Sequence, residues 1–237
     1  MKKIIFSILI FFIIFLIYKN SDQHQIVYVA LGDSLSQGKT PYGNINYGYS
    51  DYIADYISKN YTLKYYTKEY SQSNYQINDI INQINNNQII EDKNKRIYLK
   101  ELLRNSNIVT ISVGFNQMIN NIIQTNDNQN IYKMIDDQAL EIDNMLKLIK
   151  RYAKGTIVLV GYYKPLINNS IIENKHIIYS NIILQKTCKN NNVNFIKISD
   201  VFQKDNKYLP NPLDIHPNNQ GYMAIAEKII SLINKKL

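Results

Sequence analysis

The chain of 237 residues is poor in several residue types that would announce a protein class. One cysteine, Cys188, excludes an intramolecular disulfide framework and any multi-cysteine zinc or iron–sulfur site. Three histidines leave little material for a histidine-rich metal site, and eight glycines exclude a collagen-like or glycine-linker protein. Tryptophan is absent. No G-x-G-x-x-G follows the first strand-like run and no G-x-x-x-x-G-K-[ST] occurs anywhere, so a nucleotide-binding Rossmann-like domain loses its usual support. No internal repeat and no interior linker rich in Pro, Gly or Ser divides the sequence.

What is present points to one packed domain with an appendage. Hydrophobic residues make up 45% and charged residues 19%, enough apolar material for a core and too little charge for wholesale disorder. Lys+Arg 27 against Asp+Glu 19 gives a net charge of +8. The basic residues are not clustered in one helix or arm, so they read as a solubilising surface, and no nucleic-acid partner is expected. The 20 tyrosines accompany an abundance of Asn, Ile and Lys, and they read as compositional bias rather than a base-stacking surface.

Met1-Lys2-Lys3 precedes an uncharged apolar run from Ile4 to Tyr18, in which Ser7 is the only small polar residue. As a helix it would reach roughly 22 Å, short of a hydrocarbon core of ~30 Å by a gap that snorkelling Lys2, Lys3 and Lys19 can close. The residues after it, Tyr18 to Gln23, offer no small-x-small cleavage site, and no cysteine stands nearby to take a lipid. An uncleaved signal-anchor over residues 1–20 is therefore expected, with secretion as the outcome if the segment is cleaved. The paired lysines place the N-terminus inside and the rest of the chain outside the cytoplasm. Residues 21–25 are a short polar linker, and residues 26–237 form the domain.

In that domain, short β-rich runs alternate with longer helical periods. Ile26 to Leu31 is continuously apolar, as for a strand buried on both faces. Further strands are expected at Thr62–Tyr66, Ile108–Val113, Thr156–Val160 and Asn194–Ile198. Between them, helical spacing marks Tyr49–Ile57, Ile77–Ile84, Arg96–Leu103, Ile131–Ile149 and Ile177–Cys188, and a last helix runs from Asn219 to Leu237. Five alternations predict an α/β class: a flavodoxin-like three-layer α/β/α domain on a five-stranded parallel sheet, preceded by the N-terminal transmembrane helix. Ligands of such sheets bind beyond the carboxyl ends of the strands.

Three segments leave those ends with chemistry in them. The first strand runs into Gly32-Asp33-Ser34-Leu35, which taken alone reads as a helix cap. The third runs into Gly114-Phe115-Asn116-Gln117, where a local Asn turn would also suffice. Pro212-Leu213-Asp214-Ile215-His216-Pro217 precedes the last helix and holds a histidine in a rigid loop. Together they are more specific. A serine hydroxyl needs a neighbouring base, a neutral imidazole serves near pH 7, and a carboxamide can donate to an oxyanion.

With these residues the sequence resembles the SGNH, or GDSL, hydrolase family over the whole chain after the anchor. Gly32-Asp33-Ser34-Leu35 matches the first family block, Gly114-Phe115-Asn116 the third, and His216-Pro217-Asn218-x-x-Gly221-Tyr222 the last. The resemblance implies Ser34 as nucleophile, His216 as base, and an oxyanion hole of Ser34 N–H, Asn74 N–H and the Asn116 side chain, with no cofactor. Three positions depart from the pattern. Asn74 stands where the second block has glycine. Gln117 replaces an Asp. Leu213 stands three residues before the histidine, where the family has its acid, so that either Asp214, two before, or a backbone carbonyl orients His216.

The expected function is a serine esterase or lipase acting through an acyl-enzyme on a small-molecule, lipid or carbohydrate ester. The enzyme is expected to be a monomer tethered to the outer face of the membrane. The alternative, motivated by the three departures, is a catalytically weakened surface binding module on the same fold.

Overall fold

A computed structural model describes residues 25–92, 94–125, 127–166, 172–204 and 206–236. The expected N-terminal anchor lies outside these residues. Among the described residues no helix is long and apolar enough to cross a membrane.

The domain is built on five parallel strands: β1 (Gln25–Gly32), β2 (Thr62–Ser71), β5 (Ile108–Ser112), β6 (Thr156–Val160) and β7 (Asn194–Ile196), in the order β2-β1-β5-β6-β7. Every residue of β1 after Gln25, and every residue of β5, is buried. Such strands carry no polar alternation because helices cover both faces. The helices in chain order are α1 (Ser34–Gln37), α2 (Tyr49–Asn60), α3 (Ile77–Asn85), α4 (Leu99–Asn105), α5 (Phe115–Gln124), α6 (Asn128–Tyr152), α7 (Asn174–Asn190), α8 (Ser199–Lys204) and α9 (Asn219–Ile233). Helix α2 packs on α9, while α6 packs on α3, α4, α5 and α7. Right-handed crossovers on either side of β1 put these two groups on opposite faces. The layers meet in one core that includes Tyr28, Ile53, Ile111, Ile142 and Ile229, all fully buried.

The expected elements are found, with corrections. Strand β2 extends to Ser71, because register shifts against β1 let it continue past Tyr66. The helix expected over Arg96–Leu103 is split: Lys95–Tyr98 is β4, paired antiparallel with β3 (Ile89–Asp92), and α4 begins only at Leu99. Helices α5 and α8 were not anticipated, strand β7 stops at Ile196, and the last helix ends at Ile233.

The strand order reverses between β1 and β5. That is the topological switch point, where two adjacent loops leave the sheet in opposite directions and open a crevice.

Candidate active site

The crevice is set by how the chain turns out of β1. Gly32 has φ +142°, and a Cβ there would lie 2.0 Å from the Ser112 carbonyl oxygen, so β1 and β5 approach this closely only with glycine. Asp33 N–H donates to that same carbonyl at 2.9 Å. Asp33 then caps α1, its Oδ1 accepting from Leu35 N–H at 3.0 Å and from the Ser112 hydroxyl at 3.2 Å. Ser34 is thereby fixed as the first residue of a helix only four residues long.

A line of hydroxyls lies beneath this turn. Ser36 Oγ donates to the Leu31 carbonyl at 2.8 Å and sits 3.0 Å from Ser112 Oγ and 2.7 Å from the Tyr49 hydroxyl, all buried. With its neighbours hydrogen-bonded to one another and water excluded, the Asp33 carboxyl is costly to ionise. Burial pushes its pKa up to about 7, against the pull of the Leu35 N–H and Ser112 hydroxyl.

His216 arrives from the other end of the chain. Its Nε2 lies 2.7 Å from Ser34 Oγ, and its Nδ1 lies 2.6 Å from Asp214 Oδ1. The same carboxylate oxygen accepts the His216 backbone N–H at 2.7 Å. This second bond explains the two-residue spacing. The loop folds back so that one oxygen holds both backbone and ring, and the carboxylate reaches from position 214. Among the described residues, Asp214 and not a backbone carbonyl is the partner of His216 Nδ1. Leu213 is 87% exposed and points away from this relay. Burial pulls the His216 pKa below its usual value, opposed by the charge and hydrogen bond of Asp214, so the ring is neutral near pH 7 and free to accept a proton.

The remaining predicted residues are placed unevenly. Asn116 is the second residue of α5, half-buried, and lines the same cavity as Ser34 and His216. Asn74 is exposed and does not line that cavity, but its φ of +70° is the left-handed conformation expected where glycine is usual. Its neighbour Ser73 is tied to α1, with both N–H and Oγ donating to Gln37 Oε1 at 3.0 and 2.8 Å. Gln117 turns from the cavity and donates to Glu141 Oε2 at 2.9 Å, a contact between α5 and α6.

Several supporting residues were not singled out in the sequence. Tyr163 is 1% exposed; its hydroxyl donates to the Ile215 carbonyl and its ring stacks on Phe202. It thus fixes the residue preceding His216. Gln138 of α6 donates to the Gly114 carbonyl at 2.6 Å and to the Tyr162 hydroxyl at 3.0 Å, and that hydroxyl donates to the Val113 carbonyl at 3.1 Å. These bonds brace the turn that carries Asn116. Gly114, at φ +89°, leaves room for them, since a Cβ would lie 2.5 Å from Gln138 Nε2. The only sequence signal was the Gly-Tyr-Tyr triplet at the end of a strand.

The cavity beside Ser34 is small, about 20 Å³, and is closed in by Val113, Phe115, Val160 and Tyr163. Such a volume holds about one water-sized group. Hydroxyl, imidazole and carboxylate in one hydrogen-bonded line, with a carboxamide at the cavity wall, can transfer an acyl group.

Known proteins resemble the chain in sequence and in fold. The model of the GDSL-like Lipase/Acylhydrolase family matches residues 30–224. No curated protein matches the chain. Among solved structures, the fold is similar to a lipase from a goat rumen metagenome, at 19% identity over 87% of this chain and 97% of that one, with a TM-score of 0.69. It is also similar to an acetylxylan esterase from Geobacillus stearothermophilus (17% identity, 87% and 93% covered, TM-score 0.59). An extracellular lipase from Streptomyces rimosus has the same architecture (15% identity, 86% and 98% covered, TM-score 0.56).

Proposed function

Because the chain belongs to the GDSL-like lipase/acylhydrolase family and is an ester-bond hydrolase, we propose that it cleaves carboxylic esters through an acyl-enzyme on Ser34. The observation that carries this reading is the unbroken line from Ser34 Oγ through His216 to Asp214, with contacts of 2.7 and 2.6 Å. Ser34 Oγ attacks the ester carbonyl while His216 Nε2 takes its proton. Asp214 balances the imidazolium that forms. The charge on the former carbonyl oxygen is met by the Asn116 amide and by the backbone N–H groups of Ser34 and Asn74. His216 returns the proton to the leaving alkoxide. It then draws a proton from water, whose oxygen attacks the acyl carbon, and passes that proton to Ser34 Oγ as the acid is released. The small cavity suits a short acyl group, as in acetate esters.

The test is labelling with a fluorophosphonate probe, paired with turnover of p-nitrophenyl esters of graded chain length. Labelling at Ser34, its loss in Ser34→Ala, and rates that fall beyond short acyl chains are expected. A folded protein that neither labels nor turns over would be the binding module instead. We also propose that the Ile4–Tyr18 run tethers the domain to the outer face of the membrane. Fractionation tests this, because a soluble protein beginning near Ser21 would overturn it.

A further inference from the structure

The loop that leaves β2 holds one free backbone donor among occupied ones. Gln72 N–H donates to the Gly32 carbonyl at 3.1 Å, and Ser73 N–H to Gln37 Oε1 at 3.0 Å. Tyr75 N–H donates to the Gln72 carbonyl at 3.2 Å, and Gln76 N–H to Asp79 Oδ2 at 2.8 Å. Of the N–H groups from Gln72 to Gln76, only that of Asn74 has no partner among the described residues. It belongs to the residue with φ +70°. A non-glycine residue pays for that conformation and keeps it only where its neighbours hold it.

The neighbours are held by the segment that carries Ser34. Gln37 ends α1, the four-residue helix that Ser34 begins. Its Oε1 accepts the Ser73 hydroxyl at 2.8 Å as well as the Ser73 N–H, so both lone pairs of one oxygen fix the residue before Asn74. Two residues earlier, Ser71 pairs with Gly32 in the sheet, and its Oγ donates to the Ala30 carbonyl at 3.1 Å. Ser71, Gln72 and Ser73 are thus tied in turn to Ala30, Gly32 and Gln37, on either side of Ser34. Beyond Asn74, Gln83 of α3 is 5% exposed and donates to the Tyr75 hydroxyl at 3.3 Å. The Gln37 bonds are the ones nearest to Asn74, and they are made by a side chain that can be changed without touching the catalytic relay.

We propose that Gln37 is a positioning residue for the oxyanion hole: it locks Ser73 so that the free Asn74 N–H is held in register with Ser34 and meets the charge on the former carbonyl oxygen. The proposal rests on the ester-hydrolase reading above. Gln37 itself touches no substrate and acts through Ser73. That charge develops only on the way to the tetrahedral intermediate, so loss of the clamp should show in kcat and not in KM. Gln37→Leu keeps the bulk of the side chain and offers Ser73 no acceptor. In the full-length protein in detergent, with p-nitrophenyl acetate, it should lower kcat by about ten- to a hundredfold, less than deletion of a whole donor. KM should stay within about twofold. The acid limb of kcat/KM should not move, because the His216–Asp214 pair is untouched. Ser73→Ala removes one of the two bonds and should lower kcat by about threefold at constant KM, which also carries the test if Gln37→Leu does not fold. The double variant should lose no more than Gln37→Leu alone, since both act on one contact. Unchanged kcat, a rise in KM that accounts for the fall in kcat/KM, a shifted acid limb, or losses that multiply in the double variant would overturn the role of Gln37. A wild-type protein with neither turnover nor Ser34 labelling would instead bring down the underlying reading.

Discussion

The floor and the rim of the active site are built on opposite terms. On the floor, Asp33, Ser36, Ser112 and Tyr49 are at most 3% exposed, and their polar groups are satisfied by one another or by backbone. On the rim, in the loops that follow Ser34 and precede His216, Tyr42 and Leu213 are 74% and 87% exposed. A floor that cannot rearrange holds Ser34 and His216 at reacting distance before any ester arrives. Contacts that tell one ester from another would fall on such a rim. Damage to the floor should therefore reach every substrate, and damage to the rim only some.

The sharpest way to break this division is Asp214→Asn. It keeps the size of the side chain but removes the charge that balances the imidazolium, and kcat on any ester should fall by about 10³–10⁴-fold, the scale seen in serine triads. The pH profile gives the sign. Asp214 raises the pKa of His216 against burial, so its loss should move the acid limb of the residual kcat/KM to lower pH. In the wild type that limb should already lie below the usual histidine value of about 6.5. Asn116→Ala should follow, with kcat lower by about 10²–10³-fold and KM little changed, as for loss of one oxyanion donor. Equal effects on KM and kcat would move Asn116 from the floor to the rim.

Asp33→Asn should act on stability. In the wild type, the raised Asp33 pKa means that the folded protein holds a proton that the unfolded chain releases near pH 4. Stability from this group is complete below pH 4 and is lost as pH rises towards about 7. Denaturant melts at several pH values should show the variant gaining on the wild type across that window, by at most about 1.4 kcal/mol per pH unit. The smallest effect should come from Leu213→Ser, with p-nitrophenyl acetate turnover unchanged within twofold. A large loss there would mean that the position usual for the acid still matters in this chain.

The sheet was legible in the sequence because its strands are buried on both faces, and continuous apolar runs such as Ile26–Leu31 have few other interpretations. The β3–β4 hairpin was not, because Lys95–Tyr98 is short and largely exposed, and Ile97 and Leu99 to Leu103 share a helical spacing across the true boundary. Among site residues, Ser34, Asn116 and His216 could be found because each leaves a strand or precedes a helix in a short motif. The role of Asp214 could not be decided from spacing, since it depends on a loop that folds back onto its own N–H. For Tyr163 and Gln138 the sequence showed no role: the Gly-Tyr-Tyr triplet marks only a strand end, and Gln138 sits inside a long helix. Their bonds span 52 and 24 residues and exist only once the layers have packed.

The direction of β1 has a consequence for the tether proposed above. Gln25 stands at the foot of the sheet and Ser34 just beyond its head, so eight residues of strand, about 25 Å, separate the chain's point of entry from its hydroxyl. A leash attached at the front of the polypeptide would hold the domain by its base. Its mouth would then open outward, towards whatever material surrounds the cell and away from the lipid in which the leash is rooted.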